Sequence, residues 1–365
     1  MSEELEKDFK KWYTSRRKFI GIGAVGLVGG VLAACGDPTA TAAPVATTAA
    51  PVATTAAPVA ATTAATTSGV VTAVAVAGKK PKVGLVMKSL ANEFFQQMQA
   101  GADTFAKANA DKFEFKAVGM KDERDFASQV DAVENFITQK YDIIVVAAAD
   151  SKAMVTPLAK AIKAGIVVIN IDVELDKEAK KTAGVDLAFF GPDNAAGAKM
   201  AGDALAKALG AGGKVVILEG NPEADNAQQR KKGFDQAIAE GKLTLLDSKT
   251  AHWETEEANT LMTNFLTKYP DIQGVMAAND SMALGVVKAL EAAGKSNTIK
   301  VVGFDNIPAV QPLIKGNKML ATVEQFGAQM AVFGINYGLR TMNGEKFTGW
   351  IQTPLKLITA ADLPK

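Results

Sequence analysis

Short apolar runs alternate with amphipathic stretches from residue 79 to residue 365, and this alternation constrains the fold more than any other feature. The apolar runs are rich in β-branched residues and predict strands, whereas the periodicity of the stretches between most of them predicts helices. The predicted strands are Val83–Met87, Phe113–Val118, Ile143–Ala148, Ile166–Ile171, Lys214–Leu218, Leu243–Ser248, Gly274–Ala278, Ile299–Gly303 and Leu320–Gln325. The predicted helices are Glu93–Asn109, Phe126–Gln139, Ser151–Ala164, Asn194–Leu209, Ala227–Glu240, Thr255–Lys268 and Ser281–Ala293. The alternation therefore predicts an α/β fold with parallel sheets and helices on both faces.

This number of strands exceeds what one small doubly wound sheet usually holds. Residues 83–191 show the alternation of strands and helices of one α/β unit, and residues 195–303 repeat this alternation with elements of similar length. Two α/β lobes that face each other across a cleft are the simplest packing of such a chain. In open α/β sheets, ligands bind beyond the carboxyl ends of the strands, so that cleft is the expected place for a site.

The N-terminal residues have the pattern of an export signal. A basic segment that contains Arg16 and Arg17 precedes an apolar run, Gly21–Ala34, of about 14 residues, and a membrane-spanning helix needs roughly 20. The paired arginines resemble a twin-arginine signal, and general secretion is the alternative. The run ends in Leu32-Ala33-Ala34-Cys35, which resembles a bacterial lipobox. We therefore expect residues 1–34 to be a signal peptide and Cys35 to be lipidated.

Residues 35–78 are expected to form a linker after that cysteine. They consist almost entirely of Ala, Thr, Pro, Val and Gly, and a seven-residue unit that begins Pro-Val-Ala recurs from Pro44, Pro51 and Pro58. A tract without aromatic residues buries too little surface to offset its ordering entropy, so we expect a disordered stalk, open to O-glycosylation.

Composition excludes several classes of function. The 365 residues carry 40 Lys and Arg against 39 Asp and Glu, a net charge of +1, whereas nucleic-acid-binding proteins usually have a basic surplus. The chain has one Cys and one His, which leaves no internal disulfide and no Cys/His zinc cluster. It also leaves little material for a nucleophile–base pair, so we expect no enzyme, no metal site and no cofactor.

The residues that follow the predicted strands share one chemistry. They are rich in Asn, Asp, Gln and Arg, and Phe and Trp occur among them. Carboxylates accept hydrogen bonds from hydroxyl groups, Arg donates a planar fork, and amides do both. Aromatic rings cover the C–H faces of a sugar ring. The set therefore predicts a site for a neutral, polyhydroxylated ligand.

From Lys82 to about Ile358 the chain resembles the type I periplasmic sugar-binding proteins of bacterial ABC importers, and the ribose-binding proteins in particular. The motifs that carry the resemblance, in chain order, are Asn92-Glu93-Phe94-Phe95, Asp193-Asn194, Arg230-Lys231-Lys232-Gly233-Phe234, Ala278-Asn279-Asp280-Ser281-Met282-Ala283-Leu284-Gly285 and Val301-Val302-Gly303-Phe304-Asp305.

The resemblance implies two Rossmann-like doubly wound lobes joined by a three-strand hinge. The chain is expected to cross between the lobes near Asp193, Gln325 and Pro354. The N-terminal lobe then comprises residues 79–192 and 326–353, and the C-terminal lobe comprises residues 193–325 and 354–365.

The family's sugar contacts fall on positions in both lobes. In the N-terminal lobe, the resemblance implies that Asn92 and Asp172 bond hydroxyl groups and that Phe94 and Phe95 pack against the ring. In the C-terminal lobe, it implies a forked contact from Arg230, a stacked ring from Trp253 and further hydroxyl partners. Those further partners are Asn279, Asp305 and Gln325.

Some positions depart from the family or have a second interpretation. Ribose-binding proteins place polar side chains where this chain has Ala147 and Val173, which puts ribose itself in doubt and leaves another sugar or a polyol open. One of Phe94 and Phe95 can belong to the core, because neighbours on a helix point about 100° apart. Asp280 can cap its helix while Asn279 faces the cleft.

The expected function is capture of a monosaccharide, a pentose, hexose or related polyol, and its delivery to an ABC transporter permease. The protein would be a monomer, held by its lipid in the periplasm or on the outer face of the cytoplasmic membrane. Service to a chemoreceptor is an alternative that the sequence does not separate from transport, and an exported carbohydrate-active enzyme is another. A related sugar-responsive repressor would need an N-terminal helix-turn-helix, where this chain has its export signal.

Overall fold

The computed structural model describes residues 72–364, and the expected signal peptide, Cys35 and the linker up to residue 71 lie outside this range. The chain from Ala73 onward forms one compact unit. None of the helices in the described range is long and apolar enough to cross a membrane.

Six parallel strands form the sheet of the first lobe. From one edge to the other they are β11 (Trp350–Thr353), β5 (Phe189–Pro192), β4 (Val167–Ile171), β3 (Ile143–Val146), β1 (Lys82–Ser89) and β2 (Glu114–Met120). The central strands β1 and β3 are buried along almost their whole length, which explains why they are continuous apolar runs. Gly84 lies in the middle of β1 because a Cβ there would be 2.4 Å from the ring of Phe136.

Helices cover both faces of this sheet. Those of the first lobe are α1 (Glu93–Ala108), α2 (Phe126–Thr138), α3 (Val155–Lys163), α4 (Lys177–Ala183) and α10 (Gly327–Met342). Helices α1 and α10 pack together, and α10 lies on β3 and β4. Helices α2 and α3 pack on the opposite face, where Phe136 and Leu158 join the core cluster that includes Ile144 and Val146.

A parallel four-stranded sheet forms the second lobe. Its spatial order is β7 (Thr244–Thr250), β6 (Lys214–Glu219), β8 (Gly274–Ala277) and β9 (Lys300–Val302). An antiparallel pair, β10 (Thr322–Glu324) and β12 (Lys356–Ile358), continues beyond β9 through two parallel bridges. The helices of this lobe are α5 (Asn194–Leu209), α6 (Asp225–Glu240), α7 (Thr255–Lys268), α8 (Asp280–Ala292) and the short α9 (Gln311–Lys315). Single 3₁₀ turns occur at Pro308–Val310 and Ala360–Asp362.

The chain passes between the two lobes at three points. Strand β5 belongs to the first sheet, and α5, which follows Asp193, packs on the second lobe. The chain returns between β10 and α10, at residues 325–326, and leaves again between β11 and β12, at residues 354–355. The resemblance places the hinge near Asp193, Gln325 and Pro354, and movement of the lobes about these crossings stays a prediction.

The sequence missed or misplaced several elements. It did not predict β5, β11, β12, α4, α9 or α10, because most of these are short or lack a strong apolar pattern. Helix α3 begins at Val155 and not at Ser151. The side chain of Asp150 accepts hydrogen bonds from the N–H groups of Lys152 and Ala153, so it stabilises a turn before the helix and not the helix end.

An entry segment, residues 73–79, packs on the first lobe before β1 begins. The N–H of the buried Ala73 donates to Asn109 Oδ1 (3.1 Å), and Lys112 Nζ donates to the Ala73 carbonyl (2.9 Å). The N–H of Val74 donates to Asn336 Oδ1 at 3.1 Å. The sequence placed the end of the linker at residue 78, but Ala73 and Val74 already bond to the first lobe.

The partners of the entry segment lie at one end of the first lobe. Asn109 follows the last turn of α1, whereas Asn92 lies before its first turn, at the end nearer to the carboxyl ends of the strands. Asn343, which follows α10, donates to the carbonyl of Ala75 at 2.9 Å. Lys79 forms an ion pair with Asp142, just before β3. The described chain therefore enters at the end of the first lobe that is remote from the strands' carboxyl ends.

We expect Asn109→Ala to loosen the entry segment. The variant removes the acceptor of the Ala73 N–H, and one hydrogen bond contributes about 1 kcal/mol, so amide exchange in residues 73–77 should accelerate several-fold. Hydrogen–deuterium exchange followed by mass spectrometry measures this. Asn297→Ala, at an exposed position in the second lobe, is the control. Equal exchange in the two variants would show that Asn109 does not hold the segment.

Candidate functional site

A small, largely enclosed cavity lies between the lobes, at the carboxyl ends of the strands of both sheets. Its lining residues come from both lobes: Lys88, Asn92, Phe94, Phe95, Glu123, Asp172, Asn226, Arg230, Trp253, Asn279, Asp305 and Gln325. All nine residues selected from the sequence are among them. The structure thus brings the selected residues together, although they are spread over more than half of the chain.

The sequence did not select Lys88, Glu123 or Asn226. Lys88 lies near the end of β1 and is the only charged residue in a run of seven buried ones, which was a signal that sequence reasoning could have used. Glu123 lies in the loop after β2, where the sequence shows no pattern. Asn226 lies in the first turn of α6, in none of the motifs that carry the resemblance.

Lys88 and Glu123 form a buried ion pair at the first-lobe wall of the cavity. The Lys88 ammonium lies 3.1 Å from Glu123 Oε2, and both side chains are less than 5% exposed. Glu123 Oε1 accepts from Asn92 Nδ2 (2.9 Å), and Asn92 Oδ1 accepts from the N–H of Phe94, which caps α1. Because the two charges are opposite, the Lys88–Glu123 pair adds charged groups to this wall without adding a net charge.

Arg230 is held in place by the protein before any ligand is considered. Its Nε donates to Asn194 Oδ1 (2.9 Å) and its Nη1 to the carbonyl of Ala278 (2.8 Å). The guanidinium carbon lies 3.6 Å from the centroid of the Phe304 ring. Nη1 is also 3.6 Å from Asp305 Oδ1. The fork that the resemblance assigned to a ligand is therefore partly used within the protein, and the remaining N–H groups are the ones available to a ligand.

Burial shifts the pKa values of the charged groups around Arg230. It raises the pKa of Asp305 to about 7, and Arg230 opposes this rise. It also raises the pKa of Asp172, against the influence of Lys88 and Arg230, and it lowers the pKa of Arg230. Near neutral pH the cavity is therefore closer to electrical neutrality than a count of its carboxyl groups suggests.

Asn279 lines the cavity, and it is Asn279 and not Asp280 that caps α8. Asn279 Oδ1 caps α8 by accepting from the N–H of Met282 (2.9 Å), while the same residue lines the cavity. Asp280 points away from this cap and accepts from the hydroxyl of Thr322 (2.7 Å) and the N–H of Ile307 (3.1 Å). Asp280 therefore joins α8 to the strand before the hinge.

Aromatic rings form two sides of the cavity. Phe94 and Phe95 both line it, so neither is only a core residue, and their rings meet edge to face with centroids 5.0 Å apart. Trp253 comes from the second lobe and lies against Gly220, where a Cβ would be 2.1 Å from the indole ring. The resemblance placed a sugar between these rings, and the structure places them around one cavity.

Backbone strain is concentrated at the site. Asp172, Trp253 and Asp305 have positive φ angles of 64°, 71° and 123°. Residues other than Gly rarely adopt such backbone conformations unless the surrounding structure imposes them, because each costs roughly 1–3 kcal/mol. The strain indicates that these side chains are aimed by their backbone and do not simply collapse into the cavity.

Apart from Glu123 Oε2, which the Lys88 ammonium neutralises, four buried polar atoms of the lining residues have no hydrogen-bond partner in the protein. They are Asp172 Oδ2, Asn226 Oδ1, Trp253 Nε1 and Gln325 Oε1. A buried polar group without a partner costs about 1–3 kcal/mol, so native structures rarely tolerate several in one place. Three acceptors and one donor around one cavity fit a ligand that has several hydroxyl groups.

Ala147 and Val173, the two residues that depart from the ribose-binding pattern, supply no polar side chain to the cavity. Ala147 and Val173 are fully buried, and Val173 belongs to the first-lobe core cluster. Their carbonyl groups accept from Gln129 and Asn170, respectively. The polar contacts expected at these positions are therefore absent, and Lys88 and Glu123 bring additional polar groups to the same lobe's wall.

The lobes also touch outside the cavity. Arg124, which follows β2, pairs with Glu257 of α7 at 2.8 Å. Ser151, which follows β3, accepts from the N–H of Asp225 of α6 at 2.9 Å. Since β2 and β3 flank β1 in the first sheet, these contacts join the lobes on either side of the strand that carries Lys88. The structure therefore shows the lobes closed on each other.

Comparison with known proteins connects this geometry to a family. Residues 83–346 match the family described as periplasmic binding protein domain. The chain is 44% identical over 286 residues to the D-ribose/D-allose-binding protein of Pseudomonas aeruginosa, covering 77% of this chain and 90% of that protein. It is 34% identical over 295 residues to the ribose import binding protein of Escherichia coli, covering 81% and 95% of the two chains.

Solved structures agree with these relatives. An ABC transporter solute-binding protein from Burkholderia multivorans is 44% identical, with a TM-score of 0.75, covering 77% of this chain and all of that one. A periplasmic solute-binding protein from Actinobacillus succinogenes, solved with bound D-allose, is 37% identical, with a TM-score of 0.74, covering 78% and 99%. The fold class predicted from the sequence is thereby confirmed.

The raised pKa of Asp305 predicts a pH dependence of stability. With a folded-state pKa of about 7 against 3.8, folding takes up a proton at this carboxyl group between these values, so stability falls as the pH rises through them. Asp305→Asn removes this titration. We expect the melting temperature of the sugar-free wild type, relative to the variant, to fall by a few degrees between about pH 5 and about pH 8. A difference that stays constant, or rises, would contradict the assignment.

Proposed function

The chain belongs to the periplasmic binding protein family, and we propose that it captures a monosaccharide in the cavity between its lobes. The observation that carries this proposal is the group of four buried, unpartnered polar atoms in a cavity that aromatic rings flank. Hydroxyl groups of one sugar ring can pair with such atoms while its C–H faces pack on the rings. The names of the relatives make D-ribose and D-allose the first sugars to test.

Capture requires the lobes to open and close about the three crossings. In the closed arrangement the cavity residues are almost entirely buried, so a sugar cannot enter without separation of the lobes. A ligand that contacts both lobes binds the closed form more tightly than the open one and shifts the equilibrium toward it. Asp172 and Phe95 on one lobe, and Asp305 and Trp253 on the other, are the contacts that create this difference.

The site supports binding better than catalysis. Its lining includes no Ser, Thr, Cys, His or Tyr side chain, so a hydroxyl, thiol or imidazole nucleophile is absent from these residues. The Glu123 carboxylate pairs with Lys88, and Asp305 Oδ1 accepts from Gln325 Nε2 at 2.6 Å. Carboxyl groups held in this way orient a ligand, and we propose that the sugar leaves the site chemically unchanged.

We propose that the protein lies outside the cytoplasmic membrane. The signal-like N-terminus and Cys35 support a lipoprotein in the periplasm or on the outer face of that membrane. From there a monomer delivers its sugar to the permease of an ABC transporter, as the names of its structural relatives suggest. Asn92, Phe94 and Asn279, with Arg230 and Gln325, complete the contacts that we assign to the sugar.

Asp172→Asn tests the site. Asp172 has a buried oxygen without a partner and a raised pKa, so the variant should keep or increase the stability of the sugar-free protein. Hydrogen bonds to charged groups contribute about 1.5–3 kcal/mol, so affinity for D-allose or D-ribose should fall at least tenfold. Isothermal titration calorimetry measures both proteins. Asp203→Asn, at an exposed ion pair with Lys199, is the matched control. Undiminished affinity in Asp172→Asn would refute the assigned contact.

Cys35→Ala tests the anchor. The variant removes the thiol that lipidation requires, and a lipid chain contributes about 0.8 kcal/mol per buried CH₂ group, so the protein should leave the membrane fraction. Fractionation of cells and labelling with a radioactive fatty acid measure this. Sugar affinity should not change, because Cys35 precedes the linker. Continued labelling of the variant would contradict lipidation at Cys35.

A further inference from the structure

Glu254 lies at the N-cap of α7, but its carboxylate does not cap that helix. Its side chain makes no capping hydrogen bond to the first turn. Instead, Glu254 Oε1 accepts from the backbone N–H of Glu123, in the first lobe, at 3.1 Å. Helices usually begin with Ser, Thr, Asp or Asn, whose side chains bond the free N–H groups of the first turn. The Glu254 side chain therefore serves a contact between the lobes and not the start of its own helix.

The residue that meets Glu254 is already fixed within the first lobe. Glu123 is 1% exposed, and its two carboxylate oxygens contact Asn92 Nδ2 and the Lys88 ammonium. Both partners belong to the first lobe, so these contacts do not depend on closure. Glu254 thus approaches a backbone donor that the first lobe presents in a defined place, and little ordering is needed when the contact forms.

A second contact joins the same two segments. Glu257 lies three residues after Glu254, on the same side of α7, and its Oε1 is 2.8 Å from Arg124 Nη2 in the first lobe. Its other oxygen lies 2.6 Å from Nδ1 of His252, the single histidine of the chain. We call the contact of Glu123 and Arg124 with Glu254 and Glu257 the rim contact. Of these four residues, Glu123 alone lines the cavity.

Closure brings Glu254 close to other carboxylates. Burial raises the pKa of Glu254, and the N–H of Glu123 opposes this rise, while the carboxylates of Glu123, Asp122 and Glu257 add to it. The Arg124 guanidinium at the rim pairs with Glu257. Because Asp122 and Glu123 belong to the first lobe, their effect on Glu254 requires closed lobes. Closure therefore favours the protonated form of Glu254 more than separation of the lobes does.

We propose that the rim contact stabilises the closed form, with Glu254 as a positioning residue that sets sugar affinity without touching the sugar. This inference rests on the proposed function. A contact that forms only between closed lobes contributes the same free energy whichever sugar fills the cavity. The rim contact therefore changes the dissociation constants of all sugars by one factor, whereas a residue of the cavity changes them unequally.

Glu254→Ala tests the contact by removing the acceptor of the Glu123 N–H. We expect the dissociation constants for D-allose and D-ribose to rise by the same factor in calorimetry, about fivefold, which is about 1 kcal/mol. Glu254→Gln keeps a side-chain oxygen that accepts from the same N–H group, so it should restore most of the affinity.

Hydrogen–deuterium exchange followed by mass spectrometry separates this role from a purely structural one. With saturating sugar, the wild type should protect the amides of residues 121–125, because closure gives the Glu123 N–H its acceptor. In Glu254→Ala at saturation, exchange in this segment should be several-fold faster than in the wild type. A role limited to the stability of α7 would not change exchange in a loop of the other lobe.

Glu256→Ala is the matched control, since Glu256 lies in the same turn of α7. Its side chain is 80% exposed and pairs with Lys288 of the same lobe, so its loss should change neither affinity nor exchange in residues 121–125. Wild-type affinity in Glu254→Ala, a loss that differs between sugars, or an equal loss in Glu256→Ala would each overturn the inference. A wild type that binds no monosaccharide would instead refute the proposed function.

The pH dependence of affinity gives an independent readout. The position of Glu254 near other carboxylates disfavours closure while Glu254 is charged, and Gln at this position does not titrate. The affinity of the wild type relative to Glu254→Gln should therefore rise as the pH falls from about 7 to about 5. Carboxyl groups of the cavity titrate in both proteins and cancel in this ratio. A ratio that stays constant or falls would overturn the placement of Glu254 in the closed rim contact.

Discussion

The burial of opposite charges between the lobes is the constraint on which the rest of the site depends. Asp172 belongs to the first lobe and Arg230 and Asp305 to the second, yet Asp172 and Arg230 each shift the pKa of the other, and both shift the pKa of Asp305. Taking a charge out of water costs several kcal/mol unless a partner compensates for it. The lobes therefore close only if their charges balance across the cavity, and a neutral ligand with hydroxyl groups preserves that balance.

Strained backbone at the carboxylates, and a glycine beside Trp253, keep the groups of the site in place. Positive φ angles at Asp172 and Asp305 aim their carboxyl groups into the cavity, and Gly220 gives Trp253 its position. Such features cost stability wherever they occur, and the surrounding sheets, buried on both faces, stabilise the lobes enough to hold them. A site built in this way is already ordered before a ligand binds, so little of the binding free energy would be used to order side chains.

The sequence predicted the alternating elements and every lining residue that follows a strand with a recognisable motif, such as Asn92, Arg230 and Asp305. These residues could be selected from the sequence because the end of a strand is marked by a change from apolar to polar residues. It could not predict Glu123, since that residue depends on where a loop with no pattern returns to the cavity. It left the cap of α8 to Asp280, whereas Asn279 caps the helix, because neighbouring polar residues at a helix start are equally good caps and the contact of Asp280 with Thr322 decides between them.

The second crossing joins the cavity directly to the hinge. Gln325 lines the cavity and donates to Asp305, while its Oε1 has no partner. The next residue, Phe326, has a left-handed backbone, and Gly327 lies so close to Phe94 that a Cβ would be 2.4 Å from its ring. A ligand hydroxyl group that pairs with Gln325 therefore stabilises the backbone conformation of the crossing itself. Under the proposed function, the free energy of hydroxyl recognition would then favour closure at the point where the chain bends, and a ligand without that hydroxyl group would fill the cavity without the same effect on the hinge.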